Sequence, residues 1–190
     1  MIQTGDTIEN PITGERVTFL ATSADTDGQA VVIETVVQPR GFVAAPHVHP
    51  FQSERFAVVE GTLDLKTGRQ QTTLGPSEVA VVEAGTAHRF WNAGDDELRF
   101  VCEVRPALQF ESLLETMFAL AAEGKTGRKG MPRPLRLAVI ARAHFDTVRL
   151  PFPPAWVQKL GLALGAPLGR VFGYRPTYAL DAGAPAAIAV

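Results

Sequence analysis

Short apolar runs separated by turn-forming pairs dominate the first hundred residues. Arg16–Thr22, Ala30–Gln38, Arg55–Glu60, Thr62–Lys66, Glu78–Glu83, His88–Asn92 and Glu97–Val104 are rich in β-branched or aromatic side chains. Asn10-Pro11, Asp27-Gly28, Glu60-Gly61, Thr67-Gly68, Gly75-Pro76 and Ala93-Gly94 punctuate them. Runs of this length bounded by such pairs read as strands joined by turns. The last run alternates strictly, so Leu98, Phe100, Cys102 and Val104 share a face. Many short strands at this spacing imply a sandwich or a barrel.

After Pro106 the period lengthens. Phe110, Leu113, Leu114, Met117, Phe118 and Leu120 recur at three- and four-residue steps, which predicts a helix over Leu108–Glu123. Gly124–Gly130 reads as a flexible linker. Pro134 is placed to open a second helix through Phe145. Leu150-Pro-Phe-Pro-Pro154 is a rigid break, and a third helix is expected from Ala155 to about Tyr174, interrupted or kinked near Gly165 and Pro167. The Ala- and Gly-rich chain after Thr177 is expected to fray.

The third helix is unusually apolar, with no charge between Leu160 and Gly169. That run is about half of the ~20 residues that span a bilayer, so it does not cross one. A helix apolar nearly all round is ordinarily buried. Trp156, Leu160, Leu162, Leu164, Leu168 and Phe172 are therefore expected to pack on the barrel or a partner and to shape access to the site. Lying in a membrane interface is the less favoured alternative.

With 190 residues, 46% hydrophobic and 20% charged, the composition is that of an ordinary globular protein with one main core. One cysteine, Cys102, excludes an intrachain disulfide and reads as a buried thiol. The N-terminus lacks the basic start and apolar run of a secretory signal, so a cytoplasmic location is the default expectation. Charge is uneven. Residues 1–105 carry 8 Lys/Arg against 15 Asp/Glu, and residues 106–190 carry 10 against 5, which sums to the net −2 of the chain. The basic residues are dispersed, which argues against nucleic acid as a partner.

Chemistry concentrates in two segments. Gly41-Phe-Val-Ala-Ala-Pro-His47-Val-His49-Pro-Phe-Gln-Ser-Glu54 continues to Gly61, and Ser77–Asn92 adds His88. In an extended chain His47 and His49 share a face. Imidazole and carboxylate are the usual ligands of divalent first-row metals, and three of one with one of the other could leave two places open on a six-coordinate ion. His144 has no partner at ligand spacing and reads as a surface or helix-packing residue.

The first segment resembles the first cupin motif, G-x5-H-x-H-x3,4-E-x6-G, through Gly41, His47, His49, Glu54 and Gly61. The second is similar to the second motif, G-x5-P-x-G-x2-H-x3-N, through Gly85, His88 and Asn92. Ser77 stands where that motif has glycine, and Glu83 where it has proline. The resemblance covers roughly residues 10–105. It implies a double-stranded β-helix (cupin or jelly-roll barrel) over 10–105, with residues 106–190 as a C-terminal α-helical extension.

It also implies one divalent transition metal (iron, manganese, nickel, copper, cobalt or zinc) held by His47, His49, Glu54 and His88. The expected activity is dioxygenase- or isomerase-type chemistry on a small organic molecule, with Glu54 a candidate base. A metal- or ligand-binding sensor or storage module is the non-catalytic alternative. Alternation sends Phe51, Phe56, Phe90 and Asn92 toward the ligands as pocket candidates, a mild lean to an apolar or aromatic substrate. The charge asymmetry, the apolar helices and cupin precedent together lead to a homodimer as the expected assembly.

Overall fold

The computed structural model describes residues 2–41, 45–127 and 129–180. Among these described residues nine strands come first: β1 Thr7–Asn10, β2 Glu15–Ala21, β3 Val31–Val37, β4 Ser53–Glu60, β5 Leu63–Thr67, β6 Gln70–Leu74, β7 Val79–Val82, β8 His88–Asn92 and β9 Leu98–Arg105. Helices α1 Phe110–Ala122, α2 Pro134–Ala143 and α3 Ala155–Val171 follow. The strands form a six-stranded antiparallel sheet, ordered β1-β2-β3-β9-β4-β7, and a three-stranded sheet, ordered β6-β5-β8. This is a mainly β barrel with a helical extension.

The core lies between the sheets. Phe90 of the small sheet packs against Phe56 and Phe100 of the large one, with ring centroids 5.1 and 5.5 Å apart. Alternation dictates this: Leu98, Phe100, Cys102 and Val104 of β9 all point inward and are buried. Aromatic stacking of this kind brings a large apolar area together at the barrel centre. The Glu15 carboxyl of β2 is buried as well, and burial pushes it up to about 8.

Two strands escape the hydrophobic pattern. β1 reads Thr-Ile-Glu-Asn and β6 reads Gln-Gln-Thr-Thr-Leu, and each sits at the edge of its sheet. An edge strand buries one face at most, so apolar residues do not announce it. Pairing does the work instead: β6 lies along β5, where the Asp64 carboxylate accepts from Gln71 and Thr73. At Gly61 φ is +81°, and an added Cβ would stand 2.6 Å from the Glu97 carbonyl oxygen. Both the conformation and the space therefore require glycine there.

The helical extension is tied back to the barrel. α1 buries Phe110, Phe118 and Leu120, and Ser23 donates from both its backbone and its hydroxyl to the Glu111 carboxylate, at 2.7 and 2.6 Å. α3 lies on α2 where Gly165 and Gly169 let the backbones approach. It runs through Pro167 without interruption. The Tyr178 amide donates to the Thr116 hydroxyl, so residues 178–180 are docked on α1 rather than frayed. The rest of the expected frayed tail, 181–190, lies outside the described residues.

His144 is 1% exposed, so of its two expected roles it takes the helix-packing one; burial lowers its pKa. One further expectation is corrected: the apolar side chains of α3 are not covered. Among its residues only Ala166 and Gly169 are buried, while Trp156, Leu160, Leu164, Leu168 and Phe172 are exposed. The helix meets α2 through its small residues, which leaves the large ones outside.

Candidate metal centre

Both sheets contribute to one cluster. Glu54 projects inward from β4 of the large sheet and His88 from β8 of the small one. The segment carrying His47 and His49 runs antiparallel beside β8. His47 and His88 exchange backbone hydrogen bonds at 3.0 and 2.9 Å, and the Gly85 amide donates to the His49 carbonyl. Candidate ligand atoms of His47, His49, Glu54 and His88 all lie within 4.8 Å of one another. That is close to the span of one ion held ~2.0–2.2 Å from each nitrogen or oxygen.

The imidazoles are oriented by the backbone. Nδ1–H of His47 donates to the Ala45 carbonyl at 2.9 Å, that of His49 to Thr147 at 2.6 Å and that of His88 to Thr86 at 3.0 Å. A carbonyl can only accept, so in all three rings the neutral tautomer leaves an Nε2 lone pair free. These lone pairs converge on a carboxylate. His88 Nε2 stands 2.6 Å from Glu54 Oε2, yet the two buried atoms are not aligned as donor and acceptor. His49 Nε2 lies 3.6 Å from the other carboxylate oxygen. Acceptors gathered in a buried place without mutual hydrogen bonds suit a cation between them, and the donor set fits a first-row divalent metal.

Electrostatics agree with the geometry. Burial raises Glu54, but the three histidines outweigh it and hold the carboxyl at about 2. Burial also dominates at His47, helped by repulsion from the other two imidazoles, and lowers it to about 4. At His88 burial acts downward, but the contact with Glu54 prevails and the pKa is raised. Neutral His47 and ionised Glu54 are thus ready for an ion. The Cys102 thiol is pushed well up by burial and next by the Glu54 charge, so it stays protonated and inert.

The pocket candidates fare differently. Phe51 is 60% exposed. Phe56 and Phe90 are buried one strand step beneath Glu54 and His88, where they pack on Phe100 and fill the barrel. Asn92 has a structural role. Its amide donates to the Val37, Gln38 and Asp96 carbonyls, and its oxygen accepts from the Gly94 amide. The aromatic lean drawn from these side chains therefore loses its basis.

Four contributors are new. Gln52, almost fully buried, sets its oxygen 3.2 Å from His49 Nδ1 and donates to the Pro106 and Ala107 carbonyls. The Phe110 ring lies 5.9 Å from that of His49. Thr147 and Arg149 come from the helical extension, and Val48 and Arg149 exchange backbone hydrogen bonds at 2.9 and 3.0 Å. Gln52 could have been suspected as a polar residue between candidate ligands. Nothing in the sequence singles out a Thr147 backbone carbonyl nearly a hundred residues from His49. The departure at Ser77 also has a structural reading: its φ is +69°, the left-handed conformation that glycine favours.

A family model described as the cupin domain matches residues 33–104. The chain is 28% identical over 174 residues to a protein of Hypocrea virens named "Probable oxidoreductase virH", covering 80% of this chain and 76% of that one. It is 30% identical over 80 residues to quercetin 2,3-dioxygenase of Bacillus subtilis, covering 42% of this chain and only 23% of the enzyme. Among solved structures, a "predicted oxalate decarboxylase" of Thermotoga maritima is similar at 16% identity and a TM-score of 0.48, over 56% of this chain and 98% of that one. The matched region, residues 33–104, is a cupin domain; it contains both histidine motifs, joined by the backbone bridge between His47 and His88.

Proposed function

We propose that this protein is a mononuclear metal-dependent cupin enzyme that oxidises a small organic molecule with dioxygen. The observation that carries the reading is the trio of imidazoles whose Nδ1–H groups are each held by a backbone carbonyl, leaving three Nε2 lone pairs around an ionised Glu54. The names of the two relatives, an oxidoreductase and a dioxygenase, support oxidation over isomerisation.

His47, His49, Glu54 and His88 would hold the ion, and a redox-active metal there would supply electron exchange between substrate and dioxygen. Glu54 contributes fixed negative charge in a dry setting, where charge counts for more than in water. His49 is immobilised by Thr147 and Gln52, and Phe110 gives it an apolar neighbour that excludes water. His47 is the only half-buried member of the four, so substrate approaches from its side.

The test is protein purified without added metal or chelator. It is expected to carry about one transition-metal ion per chain, lost in His47→Ala and in His88→Ala. Dioxygen uptake with flavonols and simpler phenols is expected of the loaded wild type alone. Full metal occupancy in a variant lacking both His47 and His49 would refute the site. Tight ligand binding without any uptake would replace the enzyme by a binding module.

A further inference from the structure

A continuous apolar stripe runs along α3 on the side away from α2. Trp156, Leu160, Leu164 and Leu168 follow one another at four-residue steps, Val171 and Phe172 complete the row, and all six are between 50% and 82% exposed. At ~100° per residue they fall on one side of the helix. Ala166 and Gly169, which meet α2, fall on the other. Among the described residues nothing covers this side. A monomer rarely presents a contiguous apolar patch beyond a few hundred Å² without a partner for it.

We propose that this face docks on an anionic lipid bilayer, with α3 lying in the plane of the interface. Charge complementarity is the first argument. Residues 134–180 carry Arg136, Arg142, Arg149, Lys159, Arg170 and Arg175 against a single acid, Asp146. Lys159 and Arg170 both stand on one flank of the stripe at helical spacing. Arg149 and Lys159 gather over the same Phe145 ring, at 5.8 and 5.3 Å. Beside them opens a cleft of ≈ 290 Å³ lined by Arg142, Phe145, Asp146, Lys159, Leu162 and Ala163, of a size and charge to admit a phosphate headgroup. An apolar face with Trp and Leu, bordered by basic residues, is the composition of a helix that lies in a membrane interface.

The helix lies in the interface rather than across it: among the described residues no helix is long and apolar enough to span a bilayer. The other occupants fit less well. A second copy packed antiparallel about Leu164 would bring Lys159 of one chain beside Arg170 of the other, like against like. Residues 181–190 hold five alanines and only Ile188 and Val190 as larger apolar side chains, too little to cover a row that begins at Trp156. The surface is independent of the metal reading, since none of the four candidate ligands lies on it.

The experiment uses the full chain with Trp91→Phe, so that Trp156 is the one fluorescent tryptophan, and vesicles of phosphatidylcholine with or without phosphatidylserine. Flotation with the anionic vesicles at low salt is expected, together with a blue shift of Trp156 emission. Lys159→Gln with Arg170→Gln lowers partitioning by roughly fivefold per charge, and high salt has the same direction. Leu160→Glu with Leu164→Glu, at positions exposed in the folded chain, abolishes flotation while the thermal transition stays in place. Absence of flotation and of a blue shift on anionic vesicles would overturn the proposal. So would a stable dimer in light scattering that Leu164→Glu converts to monomer without any vesicle binding, since the face would then belong to a second copy.

Discussion

Replacing Gly169 by alanine places a Cβ where α2 already stands. That atom would lie 2.6 Å from the Leu135 carbonyl oxygen and 2.6 Å from Val139 Cγ2, and a backbone carbonyl cannot rotate out of the way. Helix propensity acts in the opposite direction, since alanine in a helix interior is worth ~0.5–1 kcal/mol over glycine. Overpacking of a close contact costs ~1–3 kcal/mol, so the net effect is a loss of up to about 2.5 kcal/mol. Gly161 of the same helix is the control, because a Cβ there meets nothing within 4 Å and only the propensity gain remains.

For a chain of this size 1 kcal/mol moves the melting temperature by ~2–4 °C. Gly161→Ala should therefore melt about 1–4 °C above the wild type and Gly169→Ala several degrees below it. Thermal unfolding by far-UV circular dichroism gives the values, and amide exchange in α2 and α3 shows whether the loss is local to the helix pair. The two variants add the same methyl group to the same helix, so propensity cancels in their difference and packing alone is read. A Gly169→Ala protein that melts at or above Gly161→Ala would refute the close approach of α2 and α3.

Two further outcomes follow from the buried polar groups. Gln52→Leu removes the side chain shared between His49 and the Pro106 and Ala107 carbonyls, and should weaken metal binding by ~10–100-fold with the fold retained; competition against a chelator measures this, and unchanged affinity would deny Gln52 a part in holding His49. Glu15 has a folded pKa of about 8 against an ordinary value of 4.5, so the folded chain binds the extra proton between them and stability falls as pH rises through that window. Glu15→Gln should therefore stabilise the protein at pH 7 by up to about 3 kcal/mol, at 1.36 kcal/mol per unit. The gain should vanish below pH 4.5, and equal urea midpoints for the two proteins at pH 7 and pH 4 would contradict the burial argument.

Residue order alone determined the barrel strands that bury a face, because period-2 alternation is local: β3, β4, β8 and β9 are written in their apolar positions. The four clustered side chains of the candidate metal centre were legible too, since motif spacing on extended chain fixes which side chains share a face. Gly61 belongs with them, as its motif position coincides with a turn that admits no Cβ. Edge strands β1 and β6 were not legible, because hydrogen bonding to a neighbour, not burial, makes them strands.

Tertiary structure decided the rest. Phe51, Phe56, Phe90 and Asn92 share a sequence pattern, yet one faces solvent, two fill the barrel and one binds backbone carbonyls. Alternation gives the face but not the depth. The orientation of His49 depends on a carbonyl from residue 147, a contact between segments far apart in the chain that no local rule encodes. The α3 stripe shows the same limit most plainly. Hydrophobicity predicted burial, but Gly165, Ala166 and Gly169 turned the small side of the helix to α2, and the large side chains were left outside.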